Sequence, residues 1–180
     1  MLKQRIITAV VLLAILLPAL FYPSYVPFAV VMLALIGAGA WEWGRLNGCG
    51  PRLSVFLGLE AVALCGLSWW LGLLHQRLPM VWIIAGGAWA LCGGFLLRAG
   101  VAGWPAVPRP LRLVGGLLAL WVAWLAVVQA RVVGINFLLS LLVLVWVADV
   151  FAYFAGRAFG LRFTRGKLAP SISPGKSWEG

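Results

Sequence analysis

Negative charge is nearly missing from this chain: Asp and Glu together supply 4 of its 180 residues. Charged residues of both signs reach only 10%, where soluble domains carry roughly 25%. That excludes a water-soluble globule of this size, because too little polar surface is left to cover it. Histidine occurs once, at His75, in a loop where a solvated side chain is expected. The three cysteines, Cys49, Cys65 and Cys92, have no C-x-x-C spacing, so neither a zinc site nor a disulfide framework is indicated. Period-two alternation is missing as well, which argues against a membrane barrel. A complete phosphate-binding P-loop is also lacking. Gly175-Lys176-Ser177 could end one, but Pro170 stands where the motif needs glycine, and no hydrophobic strand precedes it.

What is present is apolar length. Hydrophobic residues make up 64% of the chain, in runs that recur from end to end. The fold class is therefore all-α: a polytopic helical membrane protein with about six transmembrane helices and a cytoplasmic carboxyl-terminal loop. Spans are expected near 6–22, 26–44, 53–74, 79–97, 113–130 and 133–156. The breaks fall at Pro23 to Pro27, Asn47 to Arg52, His75 to Pro79, Arg98 to Arg112 and a tight link around Arg131. Residues 1–156 form the transmembrane region, and 157–180 a membrane-surface loop. Gly44-x-x-x-Gly48 and Gly156-x-x-x-Gly160 fit small-residue helix contacts, and many of the 11 Trp lie near span ends, as in an interfacial belt.

Lys and Arg number 14, and the net charge is +10. In a membrane protein such loop cations set orientation and meet anionic headgroups, so no nucleic acid partner is expected. With the amino terminus inside, all of them except Arg77 and Arg131 fall on the cytoplasmic side. The expected location is a bacterial-type inner membrane with both termini cytoplasmic.

The four acids are Glu42, Glu60, Asp149 and Glu179, all in the cytoplasmic half of that topology. Glu42 is expected to pair with Arg45, three residues on. Glu60 is either a buried hydrogen-bonded acid or part of a polar cavity. Asp149, Tyr153 and Arg157 are spaced by four, which keeps them on one helix face, with about 12 Å between the first and last. A carboxylate, a phenol and a guanidinium along one wall suit a polar headgroup at the interface; a packing stripe is the bland alternative. The segment RAFGLRFTRGKL (157–168) alternates cations with apolar residues, as expected on a membrane surface. In KLAPSISPGKSWEG (167–180), Pro170 and Pro174 stiffen the loop. Ser171, Ser173 and Ser177 offer hydroxyl donors, Gly175 permits close backbone approach, and Lys167 and Lys176 supply charge suited to phosphate.

These two stretches closely resemble the CTP-dependent phosphatidate cytidylyltransferases, or CDP-diacylglycerol synthases. ADVFAYFAGRAFG is similar to that family's A-D-x-x-A-Y-x-x-G-R helix end, and KLAPSISPGKSWEG to its K-L-x-P-x-I-S-P-x-K-[ST]-x-E-G loop. A W-E-W stretch at 41–43 matches loosely. The resemblance implies a nucleotidyltransferase of phospholipid synthesis that joins CTP and phosphatidate into CDP-diacylglycerol and pyrophosphate with Mg²⁺. The implied partners are CTP, phosphatidate and membrane lipid, with a homodimer left open. The implied catalytic residues are Lys167, Lys176 and Asp149. Tyr153, Arg157, Ser173, Ser177 and Glu179 are implied in substrate binding, Glu179 by orienting the loop or a lysine. The family's signature rich in Lys, Asp and Gly, whose aspartates hold the metal, is not found in these residues. The expectation is an incomplete and inactive fragment, with its main metal ligands beyond residue 180. Two other readings stay open: a CTP-dependent lipid-alcohol kinase, and a transport or scaffold subunit.

Overall fold

The structure is a computed structural model that describes residues 2–164, 166–168, 173 and 175–180. The expectations for Arg165, Pro170, Ser171 and Pro174 lie outside these residues. Six helices follow in order: α1 (Leu2–Phe21), α2 (Val26–Leu46), α3 (Pro51–Trp70), α4 (Pro79–Gly103), α5 (Arg109–Val133) and α6 (Ile135–Phe159). Helices α2 to α6 each hold a stretch long and apolar enough to cross a membrane; in α1 the apolar stretch, Ile6–Phe21, is shorter. The protein is an all-α integral membrane protein, as the composition requires.

Several helix ends differ from the expected ones for local reasons. α3 stops at Trp70, short of 74, because the chain turns through Gly72 at φ 73, a left-handed conformation that glycine adopts without strain. A single 3-10 turn, Leu73–His75, follows. α4 continues past 97, although Gly100 (φ 63) interrupts its helical backbone. α2, α3 and α5 each carry proline in the first turn, where the missing N–H would have had no helical partner.

The chain divides into two compact units, Met1–Ile135 and Asn136–Gly180. In the first, α2 and α3 approach closely through glycine. A Cβ on Gly37 would lie 2.7 Å from Val62, and one on Gly58 only 2.9 Å from the Gly37 carbonyl. Gly44 belongs to this seam, but Gly48 does not: it turns the chain after α2 at φ 73. Ala29, Cys65, Leu74, Trp124, Leu125 and Val128 form the core. Its polar edges are tied by Trp121 Nε1 donating to Ser68 Oγ (2.8 Å) and Gln129 Nε2 to the Leu73 carbonyl (2.6 Å).

Two charged residues depart from expectation, and a third loses one of its two readings. Arg131 is no loop cation; it lies within α5, only 8% exposed, and the chain breaks later, at Gly134. Its guanidinium donates to the carbonyls of Leu20 (3.0 Å) and Tyr22 (2.6 Å), which the end of α1 leaves without helical partners. Arg45 does not pair with Glu42 but lies over the Trp41 ring, 4.9 Å from its centre. Glu60 is exposed on α3, so it is not a buried acid.

Candidate functional site

The second unit is built on α6 and the chain that returns to it. Asp149, Tyr153 and Arg157 are all exposed on α6, and Arg157 Nη1 donates to the Tyr153 hydroxyl at 3.1 Å. Asp149 lies two turns earlier on the same face and takes no part in that bond. Past Phe159 the helix gives way to a turn in which Leu161 adopts φ 64. A left-handed conformation costs a residue with a side chain roughly 1–2 kcal/mol, so something must hold it.

Glu179 does so. Its Oε2 accepts from the Leu161 N–H (3.2 Å). Its Oε1 accepts from the N–H groups of Phe163 (3.1 Å) and Thr164 (2.8 Å) and from the Thr164 hydroxyl (2.8 Å). Partial desolvation pushes this carboxyl up. Hydrogen bonds from its own N–H, from the Thr164 hydroxyl and from the Thr164 and Leu161 N–H groups outweigh that, and bring the pKa from 4.5 down to about 2. Of the two roles that the resemblance implied, Glu179 orients the loop; among the described residues it meets no lysine.

The returning chain is held by backbone as well. Lys167 and Ser177 form an antiparallel bridge, Leu168 N–H donates to the Lys176 carbonyl (3.2 Å), and Lys176 N–H donates to the Ser173 carbonyl (3.0 Å). Two lysines nine positions apart are thereby placed on facing stretches, both exposed. Ser173 is half-buried between them in sequence.

Ser177 faces the other way. It is 7% exposed, and its hydroxyl is buried with no partner among the described residues. A Cβ on Gly160 would lie 3.2 Å from that hydroxyl, and one on Gly156 would lie 3.3 Å from the Gly180 Cα. Within this unit the G-x-x-x-G pair therefore makes room for the chain's own tail rather than for a second helix. Sequence reasoning passed over Thr164, which gives Glu179 two of its four hydrogen bonds; a lone Thr among cations carries no signal of that role.

No group of three His, Cys, Asp or Glu among the described residues could hold a metal ion. The Glu179 oxygens are already committed, which leaves Asp149 alone in this unit. These residues do not fit a Mg²⁺ site.

Comparison with known proteins agrees with the motifs. A family model described as the cytidylyltransferase family matches residues 3–180. A phosphatidate cytidylyltransferase of Pseudomonas aeruginosa is 40% identical across all of this chain, and one of Haemophilus influenzae is 33% identical across all of it. A phosphatidate cytidylyltransferase of Brucella abortus is 33% identical over 99% of it. The chain spans only 65%, 67% and 62% of the lengths of these relatives. No solved structure matches it. With a family match running almost from end to end, over both the helical bundle and the docked loop, this chain belongs to the cytidylyltransferase family.

Proposed function

We propose that the protein carries out CTP-dependent cytidylyl transfer to phosphatidate, giving CDP-diacylglycerol and pyrophosphate. The observation that best supports this is the backbone bridge in the loop, which puts Lys167 and Lys176 on neighbouring exposed stretches. A triphosphate brings several negative charges to one place, and two cations on paired stretches of backbone answer that need. A phosphatidate phosphate oxygen attacks the α-phosphorus of CTP, a new P–O bond forms, and the bond to the β-phosphate oxygen breaks as pyrophosphate leaves. Lys167, Lys176 and Ser173 act on the nucleotide phosphates. Arg157, steadied by Tyr153, meets the lipid phosphate at the membrane surface, and Asp149 bounds the same face. Ser177 seats the loop against α6. A Mg²⁺ requirement stays in the proposal with no step assigned to it, because Asp149 is the one uncommitted carboxylate of this unit.

Replacing Lys176 by Ala tests this reading in protein made from the full reading frame. The side chain is exposed, so folding should be little affected. Loss of one charge-assisted contact removes about 1.5–3 kcal/mol, so CTP use should fall by roughly tenfold or more at low CTP. Equal rates for mutant and parent would remove the lysine from the site.

The proposed orientation places both termini and the loop in the cytoplasm of a bacterial-type inner membrane. In a cysteine-free background, Gly50→Cys should react with an impermeant thiol reagent only after cells are opened. Gly50 has open space around it and a backbone conformation that any residue adopts. Gln76→Cys, beyond the far end of α3, should react in intact spheroplasts. The reverse pattern would overturn the orientation.

A further inference from the structure

Outside the loop, the first unit has an open cleft of about 360 Å³ at the α2–α3 turn, lined by Trp41, Arg45, Cys49 and Pro51. Its cations are arranged in an unusual way for a protein with so few acids. The Arg45 guanidinium lies over the Trp41 ring and makes no hydrogen bond or ion pair among the described residues. Arg109, at the start of α5, donates from one Nη to the Gly48 carbonyl (2.9 Å) and to Sγ of the lining residue Cys49 (3.2 Å). α3 starts at Pro51 behind a Gly50 that offers no side-chain cap, so its first N–H groups at Arg52 and Leu53 have no helical acceptor.

The free edge of Arg45 and the start of α3 both call for an anion. A stacked arginine is held in place yet keeps its N–H edge free, and that fork matches phosphate oxygens. A helix start adds aligned N–H groups and a positive dipole end. The volume suits a headgroup rather than a whole nucleotide. The flanks are apolar: Leu46 beside Arg45 is 74% exposed, and Leu53 and Phe56 on α3 are exposed as well. Trp41 lines the cleft, and tryptophan is the residue type that marks the headgroup level of a bilayer. We propose that this cleft binds the phosphate of an anionic phospholipid headgroup, with Arg45 as its main contact and the acyl chains along α2 and α3. The site lies wholly in the first unit and holds whether or not the second unit carries cytidylyl transfer.

Cys49 reports on it directly. In the Cys65→Ala, Cys92→Ala background, alkylation of Cys49 by a neutral reagent is timed in two kinds of vesicle, phosphatidylglycerol-containing and pure phosphatidylcholine. An occupied cleft should slow the reaction roughly fivefold in the first, since occupancy protects as 1 + [L]/Kd. Inorganic phosphate added to phosphatidylcholine vesicles should not reproduce this; equal protection by free phosphate would overturn the lipid assignment. Arg45→Gln should abolish the protection, whereas a mere surface-potential effect would persist in it and count against the site. Native mass spectrometry gives an independent reading if the thiol reacts slowly everywhere. The parent should retain phosphatidylglycerol and Arg45→Gln should lose it; equal retention by both would sink the proposal.

Discussion

Glu179→Ala should lower turnover by more than about a hundredfold while leaving the membrane helices intact. The carboxylate holds three backbone N–H groups and one hydroxyl of residues 161–164 in a single grip. Without it, Leu161 has no reason to keep its left-handed conformation, and the stretch leading to Lys167 comes loose. Misplacing catalytic groups by about 1 Å costs on the order of a hundredfold in rate. Glu179→Gln keeps an acceptor at the same position but loses the charge, so it should fall between parent and Ala. Trypsin supplies a readout that does not depend on activity: cleavage after Arg162 and Lys167 should speed up in the same order. Acid should mimic the mutation. Because the folded pKa is depressed, the stabilisation from Glu179 is fully present above 4.5 and is lost as pH falls towards about 2. Tryptic patterns unchanged by either mutation would contradict the anchoring role.

Gly156→Leu should be as damaging, for a steric reason. A Cβ at 156 already meets the Gly180 Cα at 3.3 Å, and a larger side chain would fill the space taken by Ser177 and Gly180. The α6 helix itself should gain from the change, since leucine is a better helix former than glycine by nearly 1 kcal/mol. The variant therefore separates loop docking from helix integrity: turnover should drop about a hundredfold with no loss of helical content. Gly87→Leu, where a side chain meets open space, is the control and should be near neutral. Equal activity of Gly156→Leu and Gly87→Leu would show that docking on α6 does not matter to the reaction.

The helices were legible because apolar runs of spanning length leave few alternatives, and the prolines at 27, 51 and 110 mark where three of them begin. Their ends were less so: α3 stops at Gly72 and α5 continues through Arg131, for reasons of backbone conformation and of contacts made with α1. The motif residues could be picked out, but their division of labour could not. Glu179 and Thr164 meet across 15 positions, and nothing in local spacing reveals which backbone groups a carboxylate will hold. Gly156 and Gly160 read as a helix seam because that is the common use of the pattern; the tail that fills it comes from twenty residues on. Arg45 had an acid three residues away and an aromatic four away, and the ring won.

The reaction itself is tested most directly by following each phosphorus of CTP. Membranes bearing the protein from its full reading frame would be given phosphatidate with CTP labelled at the α- or the γ-phosphate. Cytidylyl transfer predicts that α-label enters the lipid phase while γ-label leaves in water-soluble pyrophosphate. Entry of γ-label into lipid would instead mark a CTP-dependent lipid kinase, and entry of neither label into lipid would leave a transport or scaffold role; both results would contradict the function proposed for the docked loop.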